Sequence, residues 1–276
     1  MTEGDERLFE RIEAFYDAVP RLRARAEAFG RFVLFVSNGP SHPYYARPVL
    51  GGTAPASPED IAAVRARQRE LGLPQAFEWT SELTPWLLPS MEAAGLSVLH
   101  APLLVLDPRR LPDPDELAAE PVRLLDPASA RFSEDLSMRR AVAAVSFRSP
   151  GTQAGKAGAA ERDLALQPPS PASLELETQA IVRLQAAHAV LESANGVLAS
   201  GSYQRTAGVC EIVGVATLPN ARRRGLGAAV TAALSRHAIT TGAELVFLSA
   251  GSEEIARVYA RVGFRRIGTA CIAEPA

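Results

Sequence analysis

The chain has 276 residues, of which 47% are hydrophobic and 22% charged, with a formal net charge of -2 and a pI near 6.1. This composition is typical of a folded globular protein long enough for two domains, and the charge excludes long-range attraction to nucleic acid or anionic lipid. Residues 1–7 lack an apolar run, and no stretch has the length and apolarity of a membrane span. With two cysteines and four scattered histidines, we expect a cytoplasmic protein that binds no metal, no nucleic acid and no membrane.

The N-terminal part alternates helical and strand patterns. Residues 6–29 carry apolar side chains at helical spacing and precede Gly30, which predicts one amphipathic helix. The apolar run 31–37 predicts a buried strand, and Ser57-Pro58-Glu59-Asp60 predicts the start of a helix. The remaining predicted elements of this part are the end of that helix near residue 71, a strand at 77–79, a helix at 84–94 and a strand at 96–106. Their order predicts a compact α/β unit.

A domain boundary is predicted at residues 107–121, which contain four prolines and many charges. Such a composition favours an exposed connection over a continued strand. We therefore predict an N-terminal α/β domain at 1–107 without a cofactor loop, and a second domain at 121–276. The Pro-, Gly- and Ala-rich segment 149–173 is predicted to be a mobile loop inside the second domain.

The second part begins with helices and continues with closely spaced strands. The Asn195-Gly196 pair is a strong hairpin signal between two short apolar runs. The predicted elements are a strand at 122–125, helices at 127–145 and 174–185, strands at 188–192, 197–203 and 209–217, a helix from residue 226, a strand at 245–248, a helix at 252–262 and a strand at 265–272.

An arginine- and glycine-rich loop, Arg222-x-x-Gly225-x-Gly227, joins a predicted strand to a predicted helix. The unpaired N–H groups and the positive end of a helix attract phosphate, and glycine allows the backbone to approach it closely. Arg222, Arg223 and Arg224 add positive charge. The pattern predicts a pyrophosphate site, and its alternative is a solvated helix start.

Two other nucleotide-binding loops fit less well. A Rossmann loop requires a third glycine where Val230 stands, and a Walker loop requires a Gly-Lys-Ser/Thr sequence that is absent. The sequence therefore disfavours both of these classes of nucleotide-binding protein.

Two motifs carry a family resemblance. Val215-Ala216-Thr217-Leu218-Pro219, followed by Arg222-x-x-Gly225-x-Gly227, resembles the acetyl-CoA signature of the GNAT superfamily of N-acetyltransferases. Residues 256–264, ARVYARVGF, are similar to the A-x-x-L/V-Y-x-x-x-G-F segment that closes the same fold. The resemblance covers about 121–275. It implies an α/β (α+β) GNAT-type acyl-CoA N-acyltransferase fold with a mixed central sheet flanked by helices, preceded by a smaller GNAT-like α/β domain.

The resemblance also implies acetyl-CoA as the cosubstrate. In the family, a strand edge pairs with the pantetheine arm as though with a missing strand, and the loop N–H groups hold the pyrophosphate. Glu253 departs from the family pattern, in which many members have asparagine, so one contact to the pantetheine arm is in question. The implied cofactor-binding residues are Val215, Ala216, Thr217, Arg222, Arg223, Arg224, Gly225, Leu226, Gly227, Ala228, Ser249 and Ser252.

Glu211 is the candidate general base. At neutral pH only about one alkyl amine in a thousand is unprotonated, so a base assists acetyl transfer. Glu211 occupies the place of the glutamate base of histone-acetylating members, and strand alternation predicts that it shares a face with Val213 and Val215. The alternatives are a glutamate on a solvated sheet face, and water as the base.

Tyr259 resembles the tyrosine that serves the departing thiol in many members. Since a tyrosine is a weaker acid than a thiol, hydrogen bonding to the forming thiolate is the more economical role. The alternative is a core aromatic residue. Cys210 is predicted to be a buried structural thiol and not an acetylated nucleophile, because it faces away from Glu211 and lacks a nearby histidine in sequence.

The acceptor is expected to be the primary amine of a small molecule, attacked directly. The same site could instead accept a protein lysine or N-terminus, and a non-catalytic acyl-CoA-binding protein is the alternative from another class. Homodimerisation is a further possibility. Aromatic residues of the first part either line an acceptor site or belong to its core: Tyr44, Tyr45, Trp79 and Trp86.

Overall fold

A computed structural model describes residues 3–39 and 44–275. Within these ranges the helices are α1 (Glu3–Arg21), α2 (Pro58–Glu70), α3 (Leu87–Ala93), α4 (Pro114–Leu117), α5 (Phe132–Phe147), α6 (Ala159–Leu164), α7 (Pro171–Val182), α8 (Leu226–Thr240) and α9 (Glu253–Ala260). The strands are β1 (Ala24–Phe29), β2 (Phe32–Ser37), β3 (Arg47–Pro48), β4 (Phe77–Thr80), β5 (Leu96–Leu106), β6 (Val122–Leu124), β7 (Ala186–Ser193), β8 (Gly196–Thr206), β9 (Val209–Thr217), β10 (Leu245–Ser249) and β11 (Phe264–Pro275). Helices and strands mix as the predicted α/β class requires.

The predicted helix at 6–29 is wrong after residue 21. Helix α1 ends at Arg21, one residue after Pro20, and β1 then pairs antiparallel with β2. Gly30 makes the turn between the two strands with a left-handed φ of +54°. Proline ends a helix because it removes a backbone donor, and glycine adopts the turn without strain, so a hairpin replaces the last helical turns.

The chain forms two compact units. The first comprises Met1–Leu103, Ser249–Gly251 and Arg266–Ala276, and the second comprises Leu104–Leu248 and Ser252–Arg265. The predicted domain limits of 1–107 and 121–276 stay a prediction.

The first unit contains the antiparallel sheet β1-β2-β3 and an antiparallel pairing of β4 with β11. The predicted capping box of α2 is confirmed, since Ser57 Oγ accepts from the Asp60 N–H and Asp60 accepts from the Ser57 N–H, both at 3.2 Å. Trp79 is buried in the main core, Trp86 packs against that core, and Tyr44 packs against a smaller one. Burial therefore accounts for Trp79 without a ligand.

The second unit contains a mixed sheet with the strand order β10-β9-β8-β7-β6. Its pairings are antiparallel except that of β9 with β10, which is parallel. Helix α5 covers one face, where the Ser200 hydroxyl donates to the Arg139 carbonyl, and α8 covers the other, where Val230 approaches Gly201. Successive strand residues point to opposite faces of the sheet, so position 200 faces α5 and position 201 faces α8.

Gly201 lets α8 pack closely on β8. A Cβ at this position would lie 2.9 Å from Val230 Cγ1 and 3.1 Å from Leu234 Cδ1. Overfilling a close-packed interface costs about 1–3 kcal/mol, so we expect Gly201→Ala to lower the free energy of unfolding by that amount in urea titrations. Gly39→Ala is the matched control because no atom of residues 3–39 and 44–275 lies within 4 Å of its added Cβ, and its stability should change by less than about 0.5 kcal/mol. Equal stability of the two variants would contradict the packing argument.

A β-bulge interrupts β9 at Gly214. Ser200 pairs with Ala216 but Ser202 pairs with Val213, so β9 holds one extra residue, and Gly214 has a left-handed φ of +62°. Val213 therefore faces α5 with Ser202, whereas Val215 lies beside Gly201 on the α8 side. The predicted common face of Glu211, Val213 and Val215 is wrong for Val215, because simple alternation fails across a bulge.

Two segments predicted to lack helices contain short ones. The predicted connection 107–121 includes α4, which packs against α8. The predicted loop 149–173 includes α6, whose buried Arg162 donates to the carbonyls of Asn195 and Val197 at 3.0 and 2.7 Å. These long-range contacts are not visible in local sequence patterns. Among the described helices, none combines the length and the apolar character needed to cross a membrane.

Candidate functional site

Strands β9 and β10 part in the middle of the sheet. Their parallel register runs from Val209↔Leu245 to Glu211↔Phe247. After Glu211, the β9 residues of the described chain pair only with β8. One backbone edge of residues 212–217 is therefore available to an extended ligand, which can bind as an added strand does.

The loop after β9 presents a group of backbone donors. Arg223 and Gly225 both have left-handed φ values, +69° and +83°, and α8 starts at Leu226. For Arg223 through Ala228, none of the N–H groups has a hydrogen-bond acceptor within the described residues. Successive N–H groups at the positive end of a helix bind an anion such as phosphate. The strained φ of the non-glycine Arg223 is typical of functional sites.

Both glycines of the loop occupy close-packed positions. A Cβ on Gly225 would overlap the carbonyl oxygen of Leu117, and the left-handed φ disfavours any side chain there. A Cβ on Gly227 would lie 3.3 Å from Thr217 Oγ1. Glycine thus keeps the loop next to α4 and leaves its N–H side open.

The Arg222 side chain contacts the protein backbone. Its guanidinium donates to four carbonyl oxygens over 2.6–3.3 Å, those of Ser146, Ser149, Gln153 and Thr217. These bonds tie the loop at 222–227 to the end of α5 and the segment after it. Arg222 therefore holds the loop in place, and a side-chain contact from Arg222 to phosphate stays a prediction.

The other two arginines of the loop differ from each other. Arg224 forms an ion pair with Glu120, whereas Arg223 is exposed and has no hydrogen-bond partner within the described residues. Among these three guanidinium groups, that of Arg223 is the most available to a phosphate. A cavity of about 370 Å³ lies beside the loop and is lined by Asn220, Arg224, Arg162 and Asn195, among others.

Glu211 lies where β9 and β10 part. It is partly buried, pairs across the sheet with Gln204 and is the last β9 residue in register with β10. Ser202 contacts α5, and Gln204 lies two residues further along β8, so both point to the α5 face. Cross-strand partners share a face, and the Glu211 side chain therefore lies on the α5 face with Gln204. This position places a carboxylate next to the open strand edge.

Tyr259 lies on α9, whose N-cap residue is Ser252. The Ser252 hydroxyl caps the helix by accepting from the Ile255 N–H at 3.2 Å. The Tyr259 ring packs edge to face against Phe264, with centroids 6.1 Å apart. Although part of the side chain is solvent-accessible, the surrounding protein desolvates the phenol and raises the pKa of Tyr259 to about 12. The hydroxyl therefore remains a hydrogen-bond donor throughout the neutral and moderately alkaline range.

Cys210 is fully buried on the face opposite to Glu211. Burial also raises the pKa of its thiol, which keeps the sulfur protonated and unreactive. A structural thiol agrees with the expectation from sequence.

The predicted cofactor residues fall into three places. Val215, Ala216 and Thr217 lie on the unpaired part of β9, the run from Arg222 to Ala228 forms the loop and the first turn of α8, and Ser252 caps α9. Ser249 is the last residue of β10. Their contacts to a cofactor stay predictions. Sequence reasoning missed Arg139 of α5, because its contacts to the sheet join residues more than 60 positions apart.

Comparison with known proteins supports this geometry. Residues 190–273, which include the parted strand, the loop and α9, match the family model described as FR47-like protein. A GCN5-related N-acetyltransferase from Kribbella flavida has 22% identity and a TM-score of 0.70, covering 97% of this chain and 96% of that chain. The chain therefore has the fold of a GCN5-related N-acetyltransferase, with an FR47-like segment in its C-terminal part. Its central mixed sheet flanked by helices is the GNAT fold.

Other GNAT structures resemble the chain over most of its length. A GCN5-related N-acetyltransferase-like protein from Streptococcus suis has 12% identity and a TM-score of 0.55, covering 96% of this chain and 97% of that chain. A tandem GNAT protein from the clavulanic acid biosynthesis pathway has 15% identity and a TM-score of 0.51, covering 89% of this chain and 78% of that chain. A search of curated proteins found no match. The GNAT likeness thus includes the N-terminal part that was predicted to be GNAT-like.

Proposed function

We propose that this protein is a cytoplasmic GNAT N-acetyltransferase that transfers an acetyl group from acetyl-CoA to the primary amine of a small molecule by direct attack. The observation that carries the proposal is that the open strand edge and the loop with unpaired N–H groups adjoin each other. The open edge of β9 leads directly into the loop whose N–H groups lack acceptors among the described residues. An extended ligand with a phosphate at one end fits both features at once.

The residues present fit acetyl-CoA in detail. The β9 edge at 212–217 offers backbone groups to the amides of a pantetheine arm, and the N–H groups from Arg223 to Ala228 suit a pyrophosphate. Arg223 supplies an exposed positive charge next to these groups. When bound, acetyl-CoA supplies the acetyl group as a thioester that a neutral amine can attack.

Glu211 and Tyr259 divide the proton transfers between them. Glu211, at the point where the strands part, removes a proton from the ammonium form of the acceptor, directly or through one water. Tyr259 donates a hydrogen bond to the departing sulfur. With its pKa raised to about 12, the phenol lies more than three pKa units above an ordinary thiol of about 8.5, so it stabilises the thiolate and keeps its own proton.

The test is titration of acetyl-CoA into the wild type, Arg223→Gln and Arg224→Gln by calorimetry, followed by thiol release with a panel of small amines. We expect the wild type to bind, Arg223→Gln to bind about tenfold more weakly, and Arg224→Gln to bind nearly as the wild type does, because Glu120 already pairs with Arg224. Thiol release with a small amine supports the proposal.

The other outcomes distinguish the alternatives. Thiol release with lysine-containing peptides or folded proteins, but with no small amine, would identify a protein acetyltransferase. Tight CoA binding without turnover of any amine would identify a non-catalytic acyl-CoA-binding protein. A wild type that does not bind acetyl-CoA would overturn the proposed function.

A further inference from the structure

A hydrogen-bonded cluster of polar side chains lies between the sheet of the second unit and helices α5 and α7. Arg139 Nη1 donates to Ser202 Oγ at 3.1 Å, and His188 Nδ1 lies 2.8 Å from the same oxygen. His188 Nε2 lies 3.0 Å from Glu177 Oε2, and Arg140 Nη2 lies 3.3 Å from Glu177 Oε1. His188 and Ser202 are buried cross-strand partners, so the cluster belongs to the α5 face of the sheet.

The directions of these hydrogen bonds follow from the chemistry of the groups. Burial lowers the pKa of His188, so its imidazole is neutral and carries one N–H. An ionised Glu177 only accepts, so His188 donates from Nε2 and accepts at Nδ1 from the Ser202 hydroxyl. Ser202 Oγ then accepts from Arg139. His188 and Ser202 are satisfied within the cluster, and neither neutralises the arginine.

Arg139 is the member whose charge is not balanced. Its guanidinium is surrounded by protein, yet Arg139 forms no ion pair within the described residues, and its Nε is buried without a hydrogen-bond partner there. Glu177, whose charge acts on Arg139, already pairs with Arg140. Two arginines thus share one glutamate. Buried charges in proteins are normally paired, so this guanidinium is able to bind an anion.

Ser202, the hydrogen-bond partner of Arg139, lies on the same face of the sheet as the candidate base Glu211. Ser202 pairs across the sheet with Val213, which lies two residues from Glu211 on the same face. With about 3.4 Å per strand residue and about 5 Å between strands, the Cα atoms of Ser202 and Glu211 are about 8 Å apart. Although protein surrounds the guanidinium, part of the Arg139 residue is solvent-accessible. A small molecule can therefore contact both the carboxylate of Glu211 and the guanidinium of Arg139.

We propose that Arg139 binds a carboxylate of the acceptor, so that the acceptor is an amino acid or another small primary amine that carries a carboxylate. The proposal rests on the proposed acetyl transfer for the assignment of the amine end at Glu211. A guanidinium matches a carboxylate in charge and in its paired hydrogen bonds, so a carboxylate would balance the charge of Arg139. Ser202, which is itself hydrogen-bonded to His188, contacts the guanidinium from the sheet side.

The experiment compares each proteinogenic amino acid with its carboxamide as acceptor, using kcat/KM from thiol release. We expect the wild type to prefer the acids by about tenfold to a hundredfold, the range of a hydrogen-bonded charge pair. Arg139→Gln should lose this preference while the KM for acetyl-CoA stays unchanged. Arg131→Gln is the matched control: it removes the same charge just before α5, where Arg131 pairs with Glu192, and should keep the preference.

A second measurement does not depend on turnover. N-acetyl amino acids and their amides are titrated into the CoA-loaded wild type and the CoA-loaded Arg139→Gln variant, with circular dichroism and urea unfolding to verify the fold. Tighter binding of the acids that disappears in Arg139→Gln supports the carboxylate site. Equal binding of acids and amides by the wild type, or an unchanged preference in Arg139→Gln, overturns it. Absence of thiol release from every amine would count against the proposed acetyl transfer alone.

Discussion

Gly225→Ala is expected to lower the affinity for acetyl-CoA by at least about a hundredfold, or about 2.7 kcal/mol. Two effects act at this residue. Its φ of +83° is unfavourable for alanine, and the added Cβ overlaps the carbonyl oxygen of Leu117 in α4. Both are relieved only when the loop moves, and such movement disperses the N–H groups between Arg223 and Ala228. Calorimetric titration of acetyl-CoA measures the loss.

The control separates loop geometry from general destabilisation. Gly242 follows the C-terminal end of α8 and also has a left-handed φ, +96°. Gly242→Ala should therefore lower the free energy of unfolding by about 1 kcal/mol but leave acetyl-CoA affinity unchanged. If Gly225→Ala bound acetyl-CoA as tightly as Gly242→Ala does, the loop would not be the phosphate site.

Glu211→Gln is expected to lower kcat by about a hundredfold to ten-thousandfold with acetyl-CoA affinity unchanged. Glutamine keeps the size and hydrogen-bonding atoms of the side chain but cannot take a proton from the acceptor. Because an alkyl amine becomes neutral as the pH approaches about 10.4, the difference between wild type and variant should narrow with rising pH. Steady-state thiol release between pH 7 and 10 measures both effects.

The same substitution at Glu192 is the matched control. Glu192 lies on β7 of the same sheet and pairs with Arg123 and Arg131, away from the parted strands. Glu192→Gln should change stability modestly and leave kcat within about twofold of the wild type. A Glu211→Gln variant with wild-type kcat at pH 7 would show that water or another group acts as the base.

The features that sequence predicts best are local. The loop at 222–227, its flanking strand and helix, and helix α9 each depend on a few consecutive residues, and the structure contains all of them. The capping box of α2 is another example, since Ser57 and Asp60 are three positions apart. Such elements can be predicted from sequence because the residues that form them also supply the hydrogen-bond partners of their backbone N–H and C=O groups.

The features that sequence missed depend on distant partners. Helical spacing continued past Arg21, but pairing of β1 with β2 prevailed over it. The role of Arg222 depends on carbonyls about 70 positions earlier, which no local pattern reveals. The environment of Arg139 likewise depends on β8 and α7, so the charge imbalance becomes visible only in three dimensions.

The bulge at Gly214 makes β9 tolerant of the loss of one residue at this place. Gly214 and Val215 together lie opposite a single β8 residue, Gly201, so removal of Gly214 would leave Val215 opposite Gly201 and keep Ala216 and Thr217 with their present partners. The loop after β9 would then start on the same face as before. Homologous chains can therefore lack the bulge residue and still hold the loop in the same position.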